Sequence, residues 1–301
     1  MTPLTRVLRT LGGPAVLDAL ARLSGSELTT ALLALMRRRA DALSPADVLR
    51  RYRSDRFVAP YALSFADLRA AEDRLLAALP ASFSVVGLAP VVPLGTCSVV
   101  AAVDQNNVLS TVRGTEVAAD PTNALALEAA VRRADVAART DAAARADAGA
   151  RAGDVVRLAG VQRVVRAQRF EGTGRFAHFT LFGAVTAGRD RGSLAFEREA
   201  FEEHLAFLRE ACGDVEVRVS VVDPRFEALR GGLVVDPSRG AGYYQGLCFK
   251  VFLHGEEIGD GGFVDWTQRL LGNRKERLLI SGVGVDRFAA VAGVGELPGG
   301  D

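Results

Sequence analysis

The chain has 301 residues, of which 49% are hydrophobic and 24% charged, enough apolar material for one large or two smaller folded units and too much for a disordered chain. Lysine plus arginine at 37 against 36 acidic residues leaves a formal charge of +1, which gives no long-range field for holding DNA or tRNA over most of the surface. No apolar run reaches membrane-spanning length, and the first residues lack an apolar core followed by a small-residue cleavage site, so a cytoplasmic protein with no membrane association is expected.

Apolar residues recur at three- and four-residue spacing over residues 4–40, with Leu17, Leu20 and Leu23 in one set, Leu28, Leu32, Leu33 and Met36 in another, and Ser24-Gly25-Ser26 between them. The pattern predicts two amphipathic helices. Ser44-Pro45-Ala46-Asp47 supplies a capping serine and a first-turn proline for a further helix over residues 48–52. Pro60 ends this leader, so residues 1–58 read as a helical N-terminal extension.

A longer helix is predicted over residues 65–79, stopped by Pro80, then a strand over residues 83–88 leading to Pro90 and Pro93. Strands over residues 97–103 and 108–112, joined by Asp104-Gln105-Asn106-Asn107, suggest a hairpin. Ala124, Leu125, Leu127, Ala130 and Val131 give the next segment a helical apolar face, which residues 137–153 lack. The Ala/Arg/Asp-rich stretch 133–153 reads as an exposed helix end or a connection whose charges form a solvated face.

Strands over residues 161–168 and 176–186 flank the glycine-containing loop 169–175, an antiparallel hairpin with a long tip. Beyond it the pattern predicts a helix over 196–211, strands over 215–222 and 243–253, a short helix over 263–271, a strand over 278–281 and a helix over 286–291. Hairpins rather than regular βαβ repeats imply an α+β fold, an antiparallel sheet flanked by helices, over residues 59–295, with a short tail at 296–301.

Lysine occurs only at positions 250 and 275, so arginine is the default cation and an isolated one is a weak signal. Context singles out three stretches: Val165-Arg166-Ala167-Gln168, Ser238-Arg239-Gly240-Ala241-Gly242-Tyr243-Tyr244 and Gly282-Val283-Gly284-Val285-Asp286-Arg287. Each sets an arginine on a strand or sharp turn beside glycine or aromatic residues. A planar guanidinium that cannot lose its proton suits phosphate and carboxylate, so three converging arginines suit a triphosphate and an amino acid together. Cys97, Cys212 and Cys248 show no zinc or redox spacing and read as buried small hydrophobes in a reducing compartment. His178, His204 and His254 share no ligand spacing, and no metal site is expected from them.

In order and spacing these stretches resemble the class II aminoacyl-tRNA synthetases, and within them the histidyl-tRNA synthetase-like group, over about residues 60–292. Residues 65–90, with Pro93 as the alternative proline, resemble the first family motif, which implies a homodimer contact there. Val165-Arg166-Ala167-Gln168 and Gly174-Arg175-Phe176-Ala177-His178-Phe179 resemble the second. That implies Arg166 on the α-phosphate of ATP, Arg175 facing phosphate and Phe179 under the adenine. The stretch from Gly282 to Arg287 resembles the third, in which Gly282 and Gly284 let the strand pass beneath the nucleotide. Arg287 would then cover the other adenine face and reach the terminal phosphate. The segment from Arg239 to Gly246 resembles Arg-Gly-Leu-Asp-Tyr-Tyr-Thr-Gly, which implies that Arg239 contacts both substrate carboxylate and α-phosphate, with Tyr243 and Tyr244 at the substrate. Strand alternation would send one tyrosine to the pocket and one to the core. Asp120 and Thr122, in Asp120-Pro121-Thr122, resemble the pair that holds the α-amino group. Gly261-Gly262-Phe263-Val264-Asp265 is a partial match to Gly-Gly-Arg-Tyr-Asp.

The resemblance implies ATP with Mg²⁺ and a small-molecule amino acid, joined as an aminoacyl adenylate, with Arg166, Arg239 and Arg287 as the catalytic arginines. Departures redirect it. Family selectors Gln and Glu are replaced by Leu181 and Val185, which removes the hydrogen bonds that would favour histidine. Gln168 stands for glutamate and Gly242 for aspartate. No anticodon-binding domain is expected after Arg287, which disfavours tRNA as acceptor and leaves a carrier protein or small amine. The rival class is a noncatalytic subunit like the regulatory subunit of ATP phosphoribosyltransferase, acting through a phosphoribosyltransferase partner.

Overall fold

The computed structural model describes residues 1–60, 63–145, 155–168, 177–236 and 242–293, with side chains for all of these except 139–145. Arg175, Arg239, Gly240 and the tail at 296–301 lie outside the described residues.

Four helices open the chain: α1 (Pro3–Thr10), α2 (Ala15–Ala21), α3 (Gly25–Asp41) and α4 (Pro45–Ser54). The segment read as two helices up to residue 40 is three, because Gly12 and Gly13 both take positive φ, at 91° and 115°, and a helix cannot pass through that conformation. Ser24 and Ser44 each close a capping box, with Glu27 and Asp47 respectively, so the helix starts were written in local polar chemistry. No residue of α1–α4 is buried.

The rest builds around one eight-stranded sheet. Its strands are β1 (Ser84–Val85), β4 (Val156–Val165), β5 (His178–Arg189), β6 (Glu216–Val221), β7 (Val234–Val235), β8 (Gln245–Leu253), β9 (Glu256–Val264) and β10 (Glu276–Gly284), in the order β1-β4-β5-β10-β9-β8-β6-β7. Pairing is antiparallel except for the two-residue edge strands, which add in parallel. Short edges leave little unpaired backbone to recruit another strand. A separate pair joins β2 (Val91–Pro93) to β3 (Thr115–Val117).

Helices cover both faces. On one lie α5 (Phe65–Ala77), α7 (Ala195–Cys212) and α10 (Val285–Ala292), whose Leu75, Phe207 and Phe288 pack with Phe182, Phe249 and Val283 of the sheet. On the other lie α6 (Pro121–Arg145) and α9 (Trp266–Leu271), whose Leu125 and Trp266 pack with Leu158, Val185 and Ile280. A short helix α8 (Glu227–Arg230) precedes β7. A buried ion pair fixes α6 to the sheet: Arg133 donates from Nε and Nη2 to Glu276 at 2.9 and 3.2 Å. Arg189 Nε donates to the same carboxylate at 3.3 Å, so two guanidinium groups share the buried charge of Glu276.

The α+β class and the flanked antiparallel sheet are as the sequence implies. Two local expectations fail. Residues 96–100 form one π-helical turn and residues 105–107 a 3₁₀ turn, not strands joined by a hairpin. Their carbonyl and amide partners are supplied from elsewhere, notably by Arg269, which donates to the carbonyls of Val99 (2.8 Å) and Val100. Strand β9 replaces what read as the start of a helix at residue 263, since Gly259, Gly261 and Gly262 let it lie between β8 and β10.

Candidate functional site

Three glycines meet across the middle of the sheet. Gly160 of β4 opposes Gly183 of β5, Gly183 opposes Gly282 of β10, and Gly282 opposes Asp260 of β9. A Cβ on Gly183 would lie 2.9 Å from Pro121, the first residue of α6. Absence of a side chain there lets the helix start descend onto the sheet. A Cβ on Gly282 would touch only the Phe182 carbonyl oxygen, at 3.4 Å. Gly282 is therefore an open piece of floor beside the start of α6, and Asp260 borders it.

Asp120 stands just before that helix and caps it. Its Oδ1 accepts from the Thr122 amide at 2.9 Å and from the Thr122 hydroxyl at 2.6 Å. Its Oδ2 accepts from Arg166 Nη2 at 3.2 Å, while Arg166 Nε donates to the Ala119 carbonyl at 3.0 Å. The segment 118–120 is held by the strand it flanks: the Val165 amide donates to the Ala118 carbonyl at 3.1 Å. The Arg166 guanidinium lies over the Phe179 ring, 5.1 Å from its centroid, because the end of β4 and the start of β5 are neighbours in register. About 30% of the Arg166 side chain and 28% of Asp120 remain exposed, so the pair is open to a ligand on one side.

Burial pushes the Asp120 carboxyl above its usual range, Asp260 adds to that, and Arg166 and Thr122 oppose it. Tyr243 completes the group. Burial, then the charges of Asp260 and Asp120, push its phenol above its usual range, while the Tyr244 hydroxyl and Arg166 act in the opposite sense. Tyr243 stacks on Tyr244 at 4.5 Å and on Trp266 at 5.4 Å between centroids. The Tyr244 hydroxyl donates to Asp260 Oδ2 at 3.1 Å.

The structure thus brings together Asp120, Thr122, Arg166, Phe179, Tyr243 and Tyr244, beside Gly282. Arg287 stands apart, on the first turn of α10, donating to the Glu257 carbonyl. Among the described residues it has no hydrogen bond or ion pair with the group around Arg166, and the cation over Phe179 is Arg166 rather than Arg287. Gly284 lies at the strand end beside it, with Arg287 Cβ 3.6 Å from where its own Cβ would be. The two tyrosines do not alternate. They precede β8, where Gly246 takes φ 63° and the pairing with β9 is irregular between Gln245 and Cys248, and both rings join the α6-side cluster.

Sequence reasoning missed Asp260, Trp266 and Glu116. An acid flanked by glycines, in Gly259-Asp260-Gly261-Gly262, was the available signal for Asp260. Trp266, the chain's one tryptophan, gave none. Glu116 is fully buried and accepts from the Cys97 amide (2.6 Å), the Gly95 amide (3.2 Å) and Gln105 Nε2 (3.0 Å). Burial alone would raise its carboxyl, but these hydrogen bonds hold it below the usual range. It anchors the π-helical turn against β3 and so the backbone leading to Asp120. The apolar replacements behave differently from each other: Val185 is wholly inside the α6-side core, and the half-buried Leu181 packs against a separate cluster that includes Cys97, Ala118 and Val164.

No protein-family model matches the sequence, and no curated protein matches it. Solved structures do resemble it. A histidine–tRNA ligase subunit from Alicyclobacillus acidocaldarius superposes with a TM-score of 0.54 at 14% identity, over 78% of this chain and 95% of the other. An ATP phosphoribosyltransferase regulatory subunit/histidyl-tRNA synthetase from Bacillus halodurans gives 0.51 at 15%, over 77% and 82%. Pyrrolysyl-tRNA synthetase from Desulfitobacterium hafniense gives 0.50 at 12%, over 81% and 74%. At such identities the likeness concerns the fold. With its large, mostly antiparallel sheet and flanking helices, the chain has the class II aminoacyl-tRNA synthetase-like fold, similar to that of histidyl-tRNA synthetase-like proteins.

Proposed function

We propose that the site binds ATP and a small amino acid and joins them as an aminoacyl adenylate. The observation that carries this reading is the half-open Asp120–Arg166 pair beside the Gly282 floor. A zwitterion and a phosphate can exchange partners with it: the substrate ammonium takes the place of Arg166 at Asp120 Oδ2, and the freed guanidinium turns to an α-phosphate oxygen. Charge is conserved through the exchange, because the ammonium replaces Arg166 as the cation that opposes the upward push of burial on the Asp120 carboxyl.

Thr122 fixes the carboxylate that receives the ammonium. Phe179 gives the nucleotide base an aromatic face, and Gly282 leaves room above the strand. Arg239 would align the substrate carboxylate with the α-phosphate and Arg175 would face the phosphates, roles taken from the resemblance. One carboxylate oxygen attacks the α-phosphorus while the bond to the bridging oxygen of pyrophosphate breaks. The work of the protein is alignment and charge neutralisation, with no side-chain nucleophile. By the resemblance, Mg²⁺ would accompany the triphosphate and neutralise charge there, and Arg287 would face the leaving pyrophosphate. Apolar Leu181 and buried Val185 support an amino acid other than histidine.

A second reading, a regulatory subunit that acts by binding a phosphoribosyltransferase, draws support from Gln168, Gly242, Leu181 and Val185, where polar family residues are lost. Thermal unfolding separates the two, because whatever binds the native state raises its midpoint. Mg·ATP raises it, and Mg·ATP with the cognate amino acid raises it further. No shift with ATP at millimolar concentration, together with co-purification of a phosphoribosyltransferase, would favour regulation.

A further inference from the structure

Positive charge and uncovered apolar surface coincide at one end of this chain. Residues 1–58 hold ten arginines and five acidic residues, net +5, which leaves −4 for the remainder of a chain whose total is +1. Among the described residues only Arg50 of these ten forms an ion pair, with Asp47. The same segment carries thirteen of the 23 exposed large hydrophobic side chains among the described residues, so more than half of that surface sits on a fifth of the chain.

The two properties are sorted along the helices. Leu4, Val7, Leu8 and Leu11 recur on α1 at three- and four-residue spacing and make one stripe, with Arg6 and Arg9 on the other side. On α4 the stripe is Val48, Leu49 and Tyr52, and Arg51 and Arg53 flank it. Leu4, Val7, Leu11, Val48, Leu49 and Tyr52 are all 46% or more exposed, as are Leu35 and Met36 on α3, just before the arginine triplet 37–39. Short helices with an outward apolar stripe and guanidinium groups beside it suit a lipid surface: the aliphatic groups enter the acyl boundary and the arginines meet anionic headgroups.

Other occupants match only part of this. RNA would attract the charge but gives aliphatic side chains nothing to bury against, and of the two aromatic residues here Phe57 is covered by Arg56, which leaves Tyr52 alone for a base. A second copy offers no acidic face on its outer helices: Glu72 and Asp73 of α5 pair with Arg69, and Glu197, Glu199 and Glu203 of α7 pair with Arg277, Arg157 and Arg191. Arm against arm would set +5 on +5. We propose that α1–α4 are a docking arm that lies on an anionic lipid surface, with the remainder of the chain, at −4, turned away from it. The end of the arm is tied to the hairpin that carries Arg166: Arg56 donates to the carbonyls of Ala167 and Gln168, and His178 Nε2 donates to the Ala59 carbonyl at 2.7 Å. Lying on a membrane needs no spanning run, so the expectation of no membrane association, drawn from the lack of one, does not extend to this mode. The inference is independent of what the central site binds.

The test uses the full chain carrying Tyr52→Trp, sedimented with vesicles of phosphatidylcholine alone or of phosphatidylcholine with phosphatidylserine. Partition should be about tenfold or more stronger on the anionic vesicles, and should fall about tenfold as salt rises from about 0.05 to about 0.5 M and screens the headgroups. Fluorescence reports depth. The introduced tryptophan should shift to shorter wavelength and be quenched by brominated acyl chains, whereas Trp266, 1% exposed in the core, should not respond. Two variants separate the contributions: Arg37→Glu with Arg38→Glu and Arg39→Glu removes charge, and Leu4→Ser with Val7→Ser and Leu11→Ser removes the apolar stripe. Each should lower partition about tenfold or more, with the unfolding midpoint unchanged because all six side chains are exposed. No partition, equal partition onto neutral and anionic vesicles, partition retained by either variant, or an unquenched tryptophan on sedimented protein would each overturn the proposal. So would RNA or a second protein chain that occupies the arm and keeps the protein off the vesicles.

Discussion

At the scale of single residues, Asp120 and Arg166 illustrate how far a motif can be read. Their residue types point to an ammonium and a phosphate, but no spacing in the sequence says that they pair with each other across 46 positions. That follows from Pro121 seating on Gly183. His204 was legible only as a histidine without ligand spacing. It is completely buried, with Thr186 Oγ1 at 3.0 Å and Ser281 Oγ at 2.8 Å, and burial pushes its pKa down to about 3. Unfolded, the same ring takes a proton near the usual 6.5. Between those values the unfolded state binds more protons, so stability is complete above pH 6.5 and falls as pH drops below it. Denaturant titrations should show this slope approaching about 1.4 kcal/mol per pH unit between pH 6 and 5, and its loss in His204→Gln. An equal slope in both proteins would show that His204 is not its source.

At the scale of elements, helices with caps were readable because each start is set by residues within four positions, as with Ser44 and Asp47. The run at residues 97–103 was misread because valine and cysteine favour strands. Its actual π-helical turn depends on Glu116, 19 residues from the Cys97 amide it receives, and on Arg269, which lies further still along the chain. The paired glycines separate folding from function in one comparison. Gly183→Ala drives a methyl against Pro121 and should lower the unfolding free energy through loss of the α6 seat, by about 1–3 kcal/mol. Gly282→Ala meets only ordinary contact distances and should leave the unfolding free energy within about 0.5 kcal/mol of the parent, while weakening nucleotide binding in a calorimetric titration. Equal destabilisation by both, with binding intact in Gly282→Ala, would remove Gly282 from the site.

At the scale of the whole molecule, the α+β class followed from the sequence because strand and helix periodicities alternate irregularly. The position of β9 did not, since its glycines resemble a loop until two neighbours are in place. Net charge misled in a different way: +1 for the chain conceals a basic first fifth and an acidic remainder, and a sum has no memory of position. Among the described residues no helix is long and apolar enough to cross a membrane. The central claim is that one glycine-floored site activates an amino acid with ATP. ATP–pyrophosphate exchange, run against each amino acid in turn, tests it most directly. One small amino acid, not histidine, should support exchange, and Arg166→Ala and Asp120→Asn should each reduce it by about a hundredfold or more. Absence of exchange with every amino acid, or rates unchanged in both variants, would contradict the account.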